Sequence, residues 1–157
     1  MKIKLVCIGK TGKNFLIEGE NEYLGRLKHY VPVERIEIPD IKNTKKLSLE
    51  QIKELEGKDI LSKVNPGEQL ILLDERGKMH SSVEFSQFIQ QKFNQGGHGL
   101  VFVIGGAYGF SDDVYKACSA KISLSKMTFS HQMFRMFFFE QVYRAMTILR
   151  GEPYHHE

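Results

Sequence analysis

Hydrophobic and polar positions along the chain follow two patterns in turn. Short apolar runs typical of strands are separated by amphipathic stretches with helical spacing. The pattern predicts five strands, over residues 2–8, 31–38, 69–74, 100–104 and 121–125. It predicts five helices, over residues 14–29, 48–64, 81–95, 111–120 and 131–150. This alternation indicates an α/β fold with a mainly parallel sheet and helices on both faces. The length of 157 residues suits one domain, spanning residues 1–157.

The last predicted helix is apolar around most of its circumference. A helix that faces one core carries an apolar sector of only about 100°. We therefore expect this helix to be buried on two sides, by its own sheet and by a second copy of the chain. A central helix within a monomer is the alternative. Glu140 and Arg144, spaced i,i+4, supply one polar stripe.

Three predicted strand ends in the second half of the chain carry residues that could bind a ligand, at 74–77, 105–109 and 124–129. Ligands of parallel α/β sheets bind beyond the carboxyl ends of strands, so we expect the site there. Glycines at 105, 106 and 109 allow a backbone to approach a flat ligand, although an ordinary strand-to-helix turn explains them equally well. The Gly9-Lys10-Thr11 turn is not a phosphate loop, because Lys4 stands where the motif needs glycine. A weak contact of that loop with RNA phosphate stays open.

Composition narrows the functional classes. Charged residues make up 26% and the formal charge is +3, which permits an anionic partner without requiring one. We expect a cytoplasmic protein outside the membrane, since no apolar run approaches the roughly 18 residues of a membrane span and the first residues do not form a signal peptide. Cys7 and Cys118 lie far apart, which favours reduced thiols. The histidines lack metal-binding spacing, so we expect no metal.

The ordered set of motifs resembles a known family. The matching segments are Leu72-Leu73-Asp74, Phe102 to Ala107 with Gly109, Leu124-Ser125 with Met127-Thr128, His131 with Arg135, Glu140-Gln141 with Tyr143 to Ala145, and Gly151 with Pro153 to His155. In this order they resemble the bacterial methyltransferases that modify the N3 atom of pseudouridine in 23S ribosomal RNA, a minimal branch of the SPOUT class. The resemblance covers the whole chain.

The resemblance implies a C-terminal trefoil knot, a homodimer, S-adenosyl-L-methionine as cofactor and assembled ribosomes as substrate. It places cofactor contacts at Leu73, Gly105, Leu124, Ser125, Lys126, Met127, Thr128 and Phe129, with Lys126 pointing outward. His155 is the candidate general base, because imidazole titrates near neutral pH. Tyr154 is a candidate for stacking on the target uracil or orienting it, and Arg144 is a candidate for contacting RNA phosphate or the uracil oxygens. Arg135 and His156 are candidates for RNA contacts, and ion pairs with Glu140 or the sheet ends are the alternative for both arginines.

Two other functions compete with RNA methylation. A nucleotide-dependent oxidoreductase could use the Gly105–Gly109 turn, but Ser125 occupies the position where an acidic ribose-binding residue is expected. A catalytically silent, ribosome-binding homodimer would keep the dimer without the chemistry. The tail with Tyr154 and His155 speaks against it, although such polar termini are often frayed.

Overall fold

Five parallel strands form the sheet of the protein. A computed structural model describes residues 1–156. The strands are β1 (Lys2–Ile8), β2 (Val33–Ile38), β3 (Glu68–Met79), β4 (Gly99–Ile104) and β5 (Ala120–Ser123), in the order β2-β1-β4-β3-β5. The helices are α1 (Asn14–Leu27), α2 (Leu49–Leu61), α3 (Ser82–Asn94), α4 (Asp112–Ala117) and α5 (His131–Leu149), and a short 3₁₀ turn spans Thr44–Lys46. The predicted α/β class with a mainly parallel sheet is confirmed.

Helices cover both faces of the sheet, as predicted. The central strand β4 is buried at every position, and its side chains alternate between two cores. Leu100 and Phe102 pack with α1, α3 and α5, whereas Val101 and Val103 pack with α2 and α4. Burial on both faces explains why residues 100–104 are apolar without interruption.

The last helix is covered largely within its own chain. α5 lies between α1 and α3 on one face of the sheet. Gly19 of α1 permits this packing, because a Cβ there would lie 2.2 Å from the sulfur of Met136. The apolar circumference of α5 therefore does not by itself require a second copy, which corrects the reasoning from the sequence.

The largest difference from the predicted elements is in β3, which continues to Met79 instead of ending at Asp74. Both Leu73 and Lys78 pair with Ile122 of β5, so residues 74–77 bulge out of the ladder. β2 begins two residues later than predicted, because Pro32 has no N–H to donate. Within residues 1–156, no helix is long and apolar enough to cross a membrane.

Helices α2 and α3 each begin with a capping box. The Ser48 hydroxyl accepts from the backbone N–H of Gln51 at 3.1 Å, and the Gln51 side chain accepts from the Ser48 N–H at 2.8 Å. The same pair of bonds joins Ser81 and Glu84, at 3.1 and 2.7 Å. These bonds satisfy backbone donors that the first turn of a helix leaves free.

Candidate active site

A cleft of about 550 Å³ opens at the carboxyl ends of β3, β4 and β5. This volume lies within the range of small-molecule sites. All eight residues expected to contact the cofactor line it: Leu73, Gly105, Leu124, Ser125, Lys126, Met127, Thr128 and Phe129. The three strand ends singled out from the sequence thus meet around one cavity.

The bulge of β3 forms one wall of this cleft. Asp74 is held there by two hydrogen bonds, from the Tyr115 hydroxyl at 2.6 Å and from the backbone N–H of Arg76 at 2.9 Å. Burial and the Asp74 carboxylate raise the pKa of Tyr115 to about 12, so the phenol stays a neutral donor. Gly77 closes the bulge against β5, because a Cβ there would lie 2.5 Å from the backbone nitrogen of Ile122.

The segment 124–129 forms the opposite wall as a tight turn. The Ser123 hydroxyl donates to the Ser125 carbonyl at 3.0 Å, and the Ser125 hydroxyl accepts from the Met127 N–H at 2.9 Å. Lys126 is exposed, as expected, and Met127 is 73% exposed. Phe129 anchors the turn, with its ring centroid 5.3 Å from those of Phe134 and Phe137.

The glycine loop after β4 supplies the third wall. The Gly109 N–H donates to the Gly106 carbonyl at 3.2 Å, and Gly109 has a φ of 84°, which favours glycine. A Cβ at Gly106 would lie 2.5 Å from a carboxylate oxygen of Glu56. That oxygen is buried without a hydrogen-bond partner in residues 1–156, and burial raises the pKa of Glu56.

A second cavity, of about 430 Å³, adjoins the cleft. The two share Ser123, Leu124, Ser125, Phe129 and Phe134. The second cavity extends along α5 to Glu140 and Gln141. It therefore leads from the cleft toward the C-terminal tail.

Glu140 organises that tail. One of its carboxylate oxygens accepts from Arg144 Nη2 at 2.6 Å and from the Tyr154 hydroxyl at 3.1 Å. The Arg144 guanidinium lies 4.8 Å from the Tyr154 ring centroid. The hydrogen bond to Glu140 raises the pKa of Arg144, while burial and the Glu140 charge raise the pKa of Tyr154 to about 12. Arg144 stays charged and Tyr154 stays neutral at physiological pH.

His155 is joined to this cluster through Arg144. Arg144 Nη1 lies 3.1 Å from His155 Nδ1. A guanidinium cannot accept a hydrogen bond, so Nδ1 is the acceptor and the neutral ring carries its proton on Nε2. Arg144, Tyr154 and His155 do not line the cleft of the same protomer, whereas Glu140 lines the second cavity beside it. His156 is exposed.

Arg135, expected to contact RNA, lies inside the protein. Its side chain is only 2% exposed and donates to the Ile8 carbonyl at 2.8 Å, to Thr11 at 3.1 Å and to Glu37 at 3.3 Å. The guanidinium ties α5 to the carboxyl ends of β1 and β2. Arg135 therefore forms an ion pair at the end of the sheet, which was the alternative to an RNA contact. We no longer consider it a candidate RNA contact.

Sequence reasoning missed Tyr115 and Phe134 as parts of the site. Tyr115 acts through Asp74, which is distant in the chain, and no local motif marks that pairing. Phe134 packs on Phe129 of the turn, a contact between neighbours in an apolar stretch that has no distinctive pattern. Within residues 1–156, no group of three or more His, Cys, Asp or Glu side chains is placed to hold a metal ion.

The family described as "Predicted SPOUT methyltransferase" matches residues 1–155. The chain belongs to the SPOUT methyltransferases. Three relatives of this SPOUT methyltransferase are each named ribosomal RNA large subunit methyltransferase H. Those of Parabacteroides distasonis and Flavobacterium psychrophilum are both 59% identical to it, and that of Bacteroides thetaiotaomicron is 51% identical. Each alignment covers 100% of both chains.

Proposed function

We propose that this protein transfers a methyl group from S-adenosyl-L-methionine to the N3 atom of a pseudouridine in 23S rRNA, on assembled ribosomes in the cytoplasm. The observation that carries the proposal is the cleft, around which all eight expected cofactor contacts meet. Relatives named ribosomal RNA large subunit methyltransferase, aligned over their full length, support the RNA substrate. No observation favours the silent ribosome-binding factor or the oxidoreductase.

The residues of the cleft fit this cofactor. Glycines and the turn at 124–129 offer backbone groups to an adenine and a ribose. When bound, the cofactor supplies an electrophilic methyl carbon. The chain aligns the two reactants and excludes water, and in this way it lowers the barrier of an in-line displacement.

The tail cluster supplies the groups that meet the target base. Arg144, held by Glu140, offers donors to uracil oxygens, and Tyr154 is a neutral ring able to stack on or orient a base. His155 removes the N3 proton. Since its Nδ1 faces Arg144, the ring must leave that contact to expose a free lone pair. His156 lies beside it as an RNA contact.

A homodimer brings these two parts together. In one protomer Arg144 lies about 15 Å along α5 from Phe134, the residue of α5 nearest the tail that lines the cleft. A second copy whose tail faces this cleft places Tyr154 and His155 beside the methyl donor. The dimer is thus part of the proposed catalytic unit.

Transfer of tritium from labelled cofactor to ribosomes tests the proposal. Ribosomes purified from cells that lack the methyltransferase should accept label on one pseudouridine, and ribosomes already methylated should not. Micromolar binding of S-adenosylhomocysteine, without binding of NAD, is expected in calorimetry. Label on no RNA nucleotide would refute the function.

The variant His155→Ala tests the base assignment. We expect the rate of transfer at saturating substrate to fall by a factor of about 10² to 10⁴. His98→Ala is a control on an exposed histidine that bonds to the Pro66 carbonyl, far from the site in the fold. A wild-type rate for His155→Ala would refute the assignment and leave the function standing.

A further inference from the structure

The carboxyl edge of the sheet carries a cluster of lysines outside the site described above. They come from two loops, residues 9–13 after β1 and residues 40–46 after β2. The five are Lys10, Lys13, Lys42, Lys45 and Lys46, and we refer to them as the lysine rim. With Asp40 as the one carboxylate in these loops, the rim segments have a formal charge of +4, which exceeds the +3 of the entire chain.

The fold brings the two loops together. β1 and β2 are parallel neighbours, so the loops leave the sheet at the same edge. The Gly9 N–H donates to the Ile38 carbonyl at 2.7 Å and joins the bases of the two loops. Five lysines that are separated in the sequence therefore share one surface.

This surface borders the cofactor cleft. The Gly12 N–H donates to the Gln132 side chain at 2.9 Å, in the first turn of α5, directly after the cofactor turn at 124–129. On the other side, Thr44 and Asp40 line a cavity of about 310 Å³ together with Tyr108 and His131. Tyr108 and His131 also line the cofactor cleft.

The rim lysines are free to bind an external anion. All five are exposed, and no carboxylate of residues 1–156 lies within ion-pair distance of any of them. Several other cations are engaged within the chain, such as Arg26 with Glu22 and Lys53 with Glu50. Five unpaired lysines gathered on one surface beside the cleft suit a polyanion better than a small molecule.

We infer that the lysine rim binds the phosphate backbone of the ribosomal RNA on the flank of the target nucleotide. This inference rests on the proposed function and adds the surface by which the substrate is held. Phosphate contacts position an RNA without reading its sequence, so the rim contributes affinity and orientation. It acts at a distance from the methyl transfer itself.

The test is the triple variant Lys42→Gln/Lys45→Gln/Lys46→Gln, with Lys10→Gln/Lys13→Gln as a second variant. The matched control is Lys28→Gln/Lys58→Gln/Lys116→Gln. These control lysines are equally exposed and lie at the ends of α1, α2 and α4, on the opposite edge of the sheet. Methyl transfer to unmethylated ribosomes is measured over a range of ribosome and KCl concentrations, together with filter binding of a labelled 23S rRNA transcript.

For the rim triple variant we expect KM for ribosomes to rise about tenfold with kcat retained. The slope of log affinity against log salt should become shallower by about two. Binding of S-adenosylhomocysteine should be unchanged, and the control triple should behave as wild type. An unchanged KM and salt slope, or an equal loss in the control, would overturn the inference.

Two further outcomes separate this inference from the proposed function. In the first outcome, the wild-type protein transfers no methyl group, but the rim variants alone lose transcript binding. This result would support RNA binding by the lysine rim and refute the proposed function. If the rim variants become monomeric in light scattering, the surface is a contact between subunits and the inference is wrong.

Discussion

At Gly77 the backbones of β3 and β5 approach so closely that a methyl group has no room. The nearest atoms to a Cβ there are backbone atoms of Lys121 and Ile122, at 2.5 to 2.6 Å, and backbone cannot rotate away as a side chain can. The same contact holds the bulge of β3 against β5, the strand that leads into the turn at 124–129. Gly77 thus supports the turn on which the proposed cofactor contacts lie.

Gly77→Ala should therefore lower the free energy of unfolding by about 1–3 kcal/mol and weaken S-adenosylhomocysteine binding about tenfold. Gly25→Ala, in α1, is the matched control. Nothing lies within 4 Å of a Cβ at that position, so alanine should stabilise the helix by up to about 1 kcal/mol. Urea denaturation and calorimetry measure both effects. Equal behaviour of the two variants would contradict the close packing at Gly77.

Glu140 provides a second test at the level of single residues. Glu140→Gln removes the charge that holds Arg144 and Tyr154, so kcat should fall about tenfold, the cost of one hydrogen bond to a charged group. The phenol pKa of Tyr154 should move down from about 12 toward its ordinary value, as followed by ultraviolet titration. Glu22→Gln, in the exposed i,i+4 pair with Arg26, should leave both unchanged. Loss of cofactor binding in Glu140→Gln would mean that the cluster supports the fold instead.

Helices and strands could be predicted where the sequence pattern that specifies them is local. The starts of α2, α3 and β4 depend on residues close together in the chain, and each lies within one residue of the predicted position. The bulge in β3 was not predictable, because it depends on pairing with β5, more than forty residues later. Arg135 was misassigned for a similar reason, since its partners Thr11 and Glu37 belong to distant loops and strands.

The two capping boxes differ in one group, which gives an experiment on pH. The third helical residue is Glu84 in α3 and Gln51 in α2. Hydrogen bonds to Ser81 lower the pKa of Glu84, so its stabilisation is present above its ordinary value of 4.5 and is lost as pH falls through the lowered value. Glu84→Ala removes the carboxylate that accepts from the Ser81 N–H and should cost about 1 kcal/mol at neutral pH and less in acid. Gln51→Ala removes the matching neutral acceptor in α2 and should show a cost independent of pH. Chemical denaturation at several pH values compares the two variants.

At the scale of the whole molecule, the sheet class could be predicted but its strand order could not. Alternating strands and helices indicate a parallel sheet, whereas the order β2-β1-β4-β3-β5 depends on contacts that no periodicity encodes. The trefoil knot stays a prediction from the family resemblance. The homodimer likewise stays a proposal, and its surface should lie on the face of the sheet that carries α1 and α5.

Phe15 offers a test of that surface. It is 66% exposed on the first turn of α1, which packs on the same face of the sheet as α5. Light scattering should give twice the chain mass of 18.1 kDa for the wild type and the single mass for Phe15→Asp. Leu49→Asp is the control, since Leu49 is 54% exposed on α2, which packs on the opposite face. A wild-type monomer, or dissociation by the control alone, would refute this arrangement.

The position of β5 at the edge of the sheet affects the order in which parts of the protein unfold locally. This strand has four residues and pairs with β3 alone, so its amide protons should exchange with solvent well before those of the enclosed β4. The segment 124–129, which we propose contacts the cofactor, follows it directly. A ligand bound in the cleft should therefore stabilise β5 against local unfolding and slow the exchange of its amide protons. The stability of this edge strand would then depend on the concentration of the ligand.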